Sequence, residues 1–169
     1  MDIRQETSAD YPVVYEVIKS AFARAEQKDG NEQDLVAALR QSPSFIPELS
    51  LVATIDSKIV GHILYTKVRI GAHTELALAP LSVLPAYQRQ GIGQALMAKG
   101  HRIAKNLGFH YVIVLGHPAY YAKAGYRPAG LYGIQAPFAG ADENFMALKL
   151  DPLAPARQGI VQYDPAFGI

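Results

Sequence analysis

The tract Gln88-Arg89-Gln90-Gly91-Ile92-Gly93 holds residue types whose spacing could do chemistry. Two glycines one residue apart let the backbone turn tightly. Where such a turn opens a helix, free N–H groups and the positive end of the helix dipole converge. The result is a cradle for phosphate. A bare G-x-G pair is equally consistent with glycines placed for steric reasons. Two nucleotide loops can be tested against it. A dinucleotide fingerprint wants glycine or alanine three residues past the second glycine, where Leu96 stands. It also wants an acidic residue about 20 positions on, and Tyr111–Leu115 has none. A Walker A loop needs Gly-Lys-Ser/Thr, and no such tripeptide occurs. Both readings fail.

Other chemistries are excluded by what is missing. There is no cysteine, so a thiol nucleophile, a disulfide framework and Cys-ligated metal centres are ruled out. There is no G-x-S-x-G elbow for serine hydrolysis. His62, His73, His101 and His110 show no metal-ligand spacing, and no metal is expected. Sixteen basic against 15 acidic residues leave a formal charge of +1, which does not support nucleic-acid binding through bulk charge. Met1–Glu6 lacks the apolar core of a signal peptide, and Leu76–Leu84 is far too short to span a membrane. The expectation is a cytoplasmic protein with no membrane partner.

The elements that must position the glycine loop follow from periodicity. At 169 residues and 50% hydrophobic, one domain with a full core is expected. Ile3–Glu6 reads as a strand. Thr7–Asp10 offers caps for a helix with Val13, Val14, Val17, Ile18, Ala21 and Phe22 on one face. A second amphipathic helix carries Leu35, Val36 and Leu39 and ends near Pro43; Pro47 marks a loop. Leu51–Ile55 and Ile59–Ile70 read as a hairpin about Asp56-Ser57. Thr74–Leu84 is the most apolar strand. Its Pro80 cannot donate a ladder hydrogen bond, so this strand needs a bulge or a departing neighbour. After the glycine loop a helix runs to about Leu107, with Ile92, Ala95, Leu96, Ile103 and Leu107 inward and Gly108 capping it. Tyr111–Leu115 reads as a strand buried on both faces, and Pro118 opens a short helix. Strands are expected at Tyr126–Pro128, Phe145–Leu150 and Gly159–Tyr163. The sum is a mixed α/β (α+β) layer fold.

Taken together these segments resemble the GNAT superfamily of coenzyme A-dependent N-acetyltransferases. The resemblance rests on Leu81-Ser82-Val83-Leu84-Pro85 followed by Gln88-Arg89-Gln90-Gly91-Ile92-Gly93, and on Tyr121-Ala122-Lys123-Ala124-Gly125-Tyr126. It spans Ile3 to Leu150. LALAPLSV, VLGHPAYY and the tail motifs look like the small bacterial YhbS-like acetyltransferases. The resemblance implies one GNAT domain over residues 1–169, with a core of about 3–150 and an extension from 151 to 169. It implies a mostly antiparallel sheet with a splayed parallel strand pair, flanked by helices.

The same resemblance implies the site. Leu81, Ser82 and Val83 would bind the pantetheine arm of acetyl-coenzyme A through their backbone. Arg89, Gln90, Gly91, Ile92, Gly93 and Gln94 would hold its pyrophosphate. Tyr121 stands at the family's general-acid position, where it would protonate the departing thiolate. Tyr120, beside it, reads better as a packing residue than as a cleft residue. Some members carry a glutamate on the central strand as base, and Ala77 occupies that position here. Glu75 acting through water, His117, or water alone remain as alternatives for accepting the amine proton. Glu26, Asp29 and Glu32, between the first two helices, would attract a cationic amine from a small molecule or peptide. A coenzyme A-binding sensor without turnover is the competing reading, motivated by Ala77. Gly159–Ile169 is expected to add a strand or to make a homodimer contact.

Overall fold

The structure, a computed structural model, describes residues 1–23 and 30–169, and among these nine strands pair into one mixed sheet system. In chain order the elements are β1 (Asp2–Gln5), α1 (Tyr11–Phe22), α2 (Glu32–Arg40), β2 (Phe45–Ile55), β3 (Lys58–Ile70), β4 (His73–Val83), α3 (Ile92–Asn106), β5 (Tyr111–Leu115), α4 (Pro118–Ala122), β6 (Arg127–Pro128), β7 (Ile134–Gln135), β8 (Phe145–Lys149) and β9 (Gly159–Gln162). The strand order is β1-β2-β3-β4-β5-β8-β6, with β9 pairing to β3 and β7. Antiparallel pairs dominate; β4 and β5 run parallel. This is the mixed architecture that the hydrophobic patterning implied.

Pro80 has both of its expected consequences. On β3 the step from Ile63 to Tyr65 is two residues, while the facing step on β4, from Leu81 to Leu78, is three. One residue is therefore extra, a bulge at Ala79–Pro80. On the other side, β4 pairs with β5 only at Leu76–Val112 and Ala77–Ile113. Beyond Ala77 the two strands part. Pro80 lacks an N–H at a point where no ladder bond is required.

Three boundaries differ from the sequence reading. Strand β2 begins at Phe45 and includes Pro47, which had suggested a loop. Its register slips between Phe45 and Ser50, so Pro47 also sits in an irregularity. The inward stripe of α3 is rotated: Leu96, Met97, Gly100 and Ala104 are buried, and Leu107 is 43% exposed. Gly100 lies inward because the ring of Tyr65 fills the place of a β-carbon there. Residues Ala129–Tyr132 and β7 form a turn and a two-residue strand, too short for the glycine-bearing sequence to show.

Helix α3 covers one face of the sheet over Leu51, Ile63, Leu76 and Val112. Helices α1 and α2 cover the other face, over Val52, Ile59 and Leu64. Below them β7, β8 and β9 close the core around Ile70, Tyr111 and Phe145. The C-terminal segment thus adds a strand, one of its two expected roles. Arg157 reaches back from it to Glu75 at 3.0 Å, and Asp164 accepts from Ser44 Oγ at 2.7 Å.

One buried polar network interrupts the apolar face. Arg40 holds the Glu6 carboxylate in a two-pronged bond, both distances 2.9 Å. Ser50 Oγ donates to Glu6 Oε1 at 2.6 Å and contacts His62 Nε2 at 3.0 Å. Burial, opposed by Glu6 and reinforced by Arg40, pushes His62 down to about 4. On the opposite face burial pushes His101 down to about 4 as well.

Both imidazoles are therefore held neutral when folded but protonate near pH ~6.5 when unfolded. Between those values the unfolded chain binds more protons, so stability rises with pH from about 4 to about 6.5 and levels off above. Each ring accounts for at most about 3 kcal/mol of this rise. Urea midpoints measured across that window should climb. They should climb less steeply in His101→Gln, and a flat wild-type profile would contradict the buried neutral rings.

Candidate active site

The parting of β4 from β5 leaves a groove of about 570 Å³. Its β4 wall is Leu81 and Val83. Its far end is the turn through Tyr87, Gln88 and Arg89 and the first residues of α3, Gly91–Gln94. Its third side is Tyr120, Tyr121 and Lys123. The described residues lining it include two cations, Arg89 and Lys123, and no acidic side chain.

The loop geometry follows from two left-handed residues. Gly91, the residue before α3, has φ +84°, a conformation that costs glycine nothing. Arg89 has φ +63°, which costs a residue with a side chain about 1 kcal/mol. Together they reverse the chain so that the first turn of α3 faces the groove. The N–H groups there have no partner within the helix, and the helix dipole adds partial positive charge. Gly93 lies flush beneath Tyr120, whose hydroxyl occupies the space of a β-carbon. Gln88 Nε2 ties the loop to Val83 O at 3.0 Å, and Gln94 Nε2 reaches Tyr120 O at 3.3 Å.

Tyr121 is set by packing. Its ring meets Tyr120 edge-on at 5.1 Å and Tyr126 at 5.6 Å. Tyr126 is anchored in turn by a 2.8 Å hydrogen bond to His101 Nε2. Gly116 leaves the room that the ring needs, since a β-carbon would run into its edge. Burial, with a smaller push from Tyr120, raises Tyr121 well above an ordinary phenol. It therefore keeps its proton at neutral pH.

Of the residues singled out from sequence, Leu81, Val83, Arg89, Gly91, Ile92, Gly93, Gln94 and Tyr121 line this groove together. Ser82 and Gln90 do not. Ser82 turns to the opposite face and is buried, as strand alternation requires. Gln90 is exposed. His117 is exposed at the N-terminus of α4, outside the lining. Glu75 is buried rather than at a strand surface. Its Oε1 accepts from the N–H groups of His110 and Tyr111 at 2.8 and 3.1 Å, and its Oε2 from Arg157. It is a clamp between β4, β5 and the C-terminal segment, away from the groove. Glu32 opens α2, half-buried; Glu26 and Asp29 fall outside the described residues. Tyr87, Gln88, Tyr120 and Lys123 belong to the lining although sequence reasoning did not place them there. Lys123 was legible as a cation two residues after Tyr121; Tyr120 was not, because packing and lining tyrosines look alike in sequence.

The arrangement can hold a phosphate-bearing ligand at the start of α3, run an extended arm along β4, and present a phenol to its end. The chain is similar to known proteins. Residues 4–126 match the acetyltransferase (GNAT) family. YjhQ of Escherichia coli (strain K12), an uncharacterized N-acetyltransferase, is 40% identical over 118 residues, covering 67% of this chain and 65% of that protein. The crystal structure of YhbS from Escherichia coli, a GNAT family N-acetyltransferase in complex with CoA, superposes with TM-score 0.90 at 26% identity, covering 99% of this chain and 92% of that one. A GNAT family acetyltransferase from Brucella melitensis in complex with acetyl-CoA gives TM-score 0.82 at 32% identity, covering 98% and 97%.

Gly116 tests how the phenol is set. A methyl group there overpacks against the body of the Tyr121 ring, which is held on two sides. Gly116→Ala should cost about 1–3 kcal/mol. Thermal unfolding reads this, and a variant as stable as the wild type would show that the ring is not confined.

Proposed function

The chain belongs to the acetyltransferase (GNAT) family, and from that premise we propose that it transfers the acetyl group of acetyl-coenzyme A directly to a primary amine. The observation that carries the proposal is the groove itself: free backbone at the β4 edge, open helix N–H groups at one end, and Tyr121 on its side wall.

The residues fit the cosubstrate part by part. The pyrophosphate suits the first turn of α3, with Arg89 and Lys123 adding charge-assisted contacts. The pantetheine amides suit the edge of Leu81–Val83 that faces away from β3 and that β5 does not pair, as an added strand would. Relatives crystallised with CoA and acetyl-CoA support this choice of cosubstrate.

Chemistry then needs little from the protein. A neutral amine attacks the thioester carbonyl, the C–N bond forms, and the C–S bond breaks. The acylated nitrogen gives up its extra proton to water, the leaving thiolate takes the proton of Tyr121, and Tyr121 regains one from solvent. With no cysteine in the chain, no acyl-enzyme on sulfur forms, and transfer occurs with both substrates bound. The acceptor remains an amine of a small molecule or peptide, and the acidic residues Glu26, Asp29 and Glu32 would favour a cationic one.

Free-thiol release from acetyl-coenzyme A, followed across a panel of primary amines, tests the reading. Binding without release on any amine would favour a coenzyme A sensor instead. Once an acceptor is found, Tyr121→Phe should lower kcat by about 10²-fold or more with KM for acetyl-coenzyme A unchanged. Lys123→Ala and Arg89→Ala should do the reverse, raising that KM roughly tenfold each with kcat largely kept.

A further inference from the structure

The turn between β4 and α3 closes the far end of the groove, and a cation stands just beyond it. Lys58 is exposed at the first position of β3, and its side chain makes no hydrogen bond or ion pair among the described residues. Lys99 and Lys105 differ: the first donates to Ile3 O at 2.6 Å, and the second pairs with Asp151 at 3.7 Å. The Lys58 ammonium instead lies over an aromatic ring, 5.4 Å from the centroid of Tyr87. Tyr87 also lines the groove. Its ring therefore borders both the groove and the cation.

The fold fixes this neighbourhood from two sides. The β2–β3 hairpin reverses at Asp56 and Ser57, both left-handed, and Lys58 opens the return strand opposite Ile55. Leu84 N donates to Val60 O at 2.9 Å, which ties the end of β4 to β3 two residues past Lys58. Tyr87 N then donates to Leu84 O at 2.8 Å, and Gln88 Nε2 to Val83 O at 3.0 Å. The Tyr87 ring is half-buried and packs against the core beneath α3. Arg89 follows it by two residues; Asp56, two residues before Lys58, is exposed in the hairpin turn.

Coenzyme A has more negative charge than the pyrophosphate alone. A third phosphate sits on its ribose as a monoester, with about −1.5 to −2 charges at neutral pH. The first turn of α3, with Arg89 and Lys123, suits the pyrophosphate. Past that cradle the groove ends at Tyr87, with Lys58 over its ring.

We propose that the nucleotide end of acetyl-coenzyme A leaves the groove across Tyr87, the purine packing on this ring and the ribose 3′-phosphate pairing with Lys58. The proposal rests on the cosubstrate reading above. A base packed on an aromatic ring and a charge-assisted bond to phosphate are both contacts that a pantetheine arm alone cannot make. Lys58 is then the residue that tells coenzyme A from the same molecule without its 3′-phosphate. The pair also directs the chain to acetyl groups on free coenzyme A rather than on a pantetheine arm carried by a protein, which has no nucleotide.

Calorimetric titration with coenzyme A, 3′-dephospho-coenzyme A and 4′-phosphopantetheine tests this without an acceptor amine. The wild type should bind coenzyme A about tenfold more tightly than the dephospho form. Lys58→Ala should lose that difference by weakening coenzyme A alone, and Lys58→Arg should keep it. Tyr87→Leu should weaken coenzyme A about tenfold and leave 4′-phosphopantetheine unchanged, which a general loosening of the loop would not do. Equal wild-type affinity for coenzyme A and its dephospho form, or a preference that Lys58→Ala retains, overturns this proposal alone. So does a Tyr87→Leu variant that binds coenzyme A as the wild type does. A wild type that binds none of the three ligands overturns it together with the cosubstrate reading.

Discussion

Among the described residues the ladder between β4 and β5 has two register pairs, Leu76 with Val112 and Ala77 with Ile113. Everything functional depends on the ladder stopping there. A longer ladder would bury the backbone of Leu81–Val83 against β5 and close the groove. A shorter one would detach β5, β8 and β6 from the sheet. The bulge at Ala79–Pro80 bends β4 away at the right place, and proline ensures that this stretch offers one donor fewer to a neighbour. The splay costs backbone pairing, and the surrounding structure holds it open from three sides. Helix α3 packs across β2, β3 and β4, Glu75 clamps the start of β5 through two N–H groups, and Arg157 fastens the C-terminal segment to that same carboxylate.

Charge is distributed in keeping with this frame. The groove offers the proposed cosubstrate backbone N–H groups and two exposed cations, an arrangement that needs little net positive charge on a chain of formal charge +1. The buried charges lie elsewhere. Glu75–Arg157 secures the start of β5 to the C-terminal segment, and Glu6–Arg40 joins the end of β1 to the end of α2. Buried pairs of this kind add little net stability, but breaking one partner is costly, so they specify where the elements dock. Tyrosines do the equivalent work around the groove. Gly93, Gly100 and Gly116 each give space to one of Tyr120, Tyr65 and Tyr121, and the rings pack edge to face from the groove to His101.

Much of this was legible in the sequence. Pro80 in an apolar strand announced an irregularity, and G-x-G before a helix announced the loop; local chemistry determines both. The motif pair around Gly91 and Tyr121 pointed to the family that residues 4–126 match. What was not legible depended on distant contacts. Glu75 looked like a strand-end charge because its partners, His110, Tyr111 and Arg157, are 35 to 82 residues away. The orientation of α3 was misjudged because Gly100 carries no hydrophobic signal, although it lies inward against Tyr65. Pro47 looked like a loop because a proline within an edge irregularity of a strand reads the same as one outside it.

The central claim is that cofactor binding completes the sheet edge that β5 leaves open. Amide hydrogen exchange, measured with and without acetyl-coenzyme A, tests it most directly. The account predicts slowed exchange confined to the amides of β4 around Leu81–Val83 and to Gly91–Gln94. Saturable binding with no protection in either segment would contradict it.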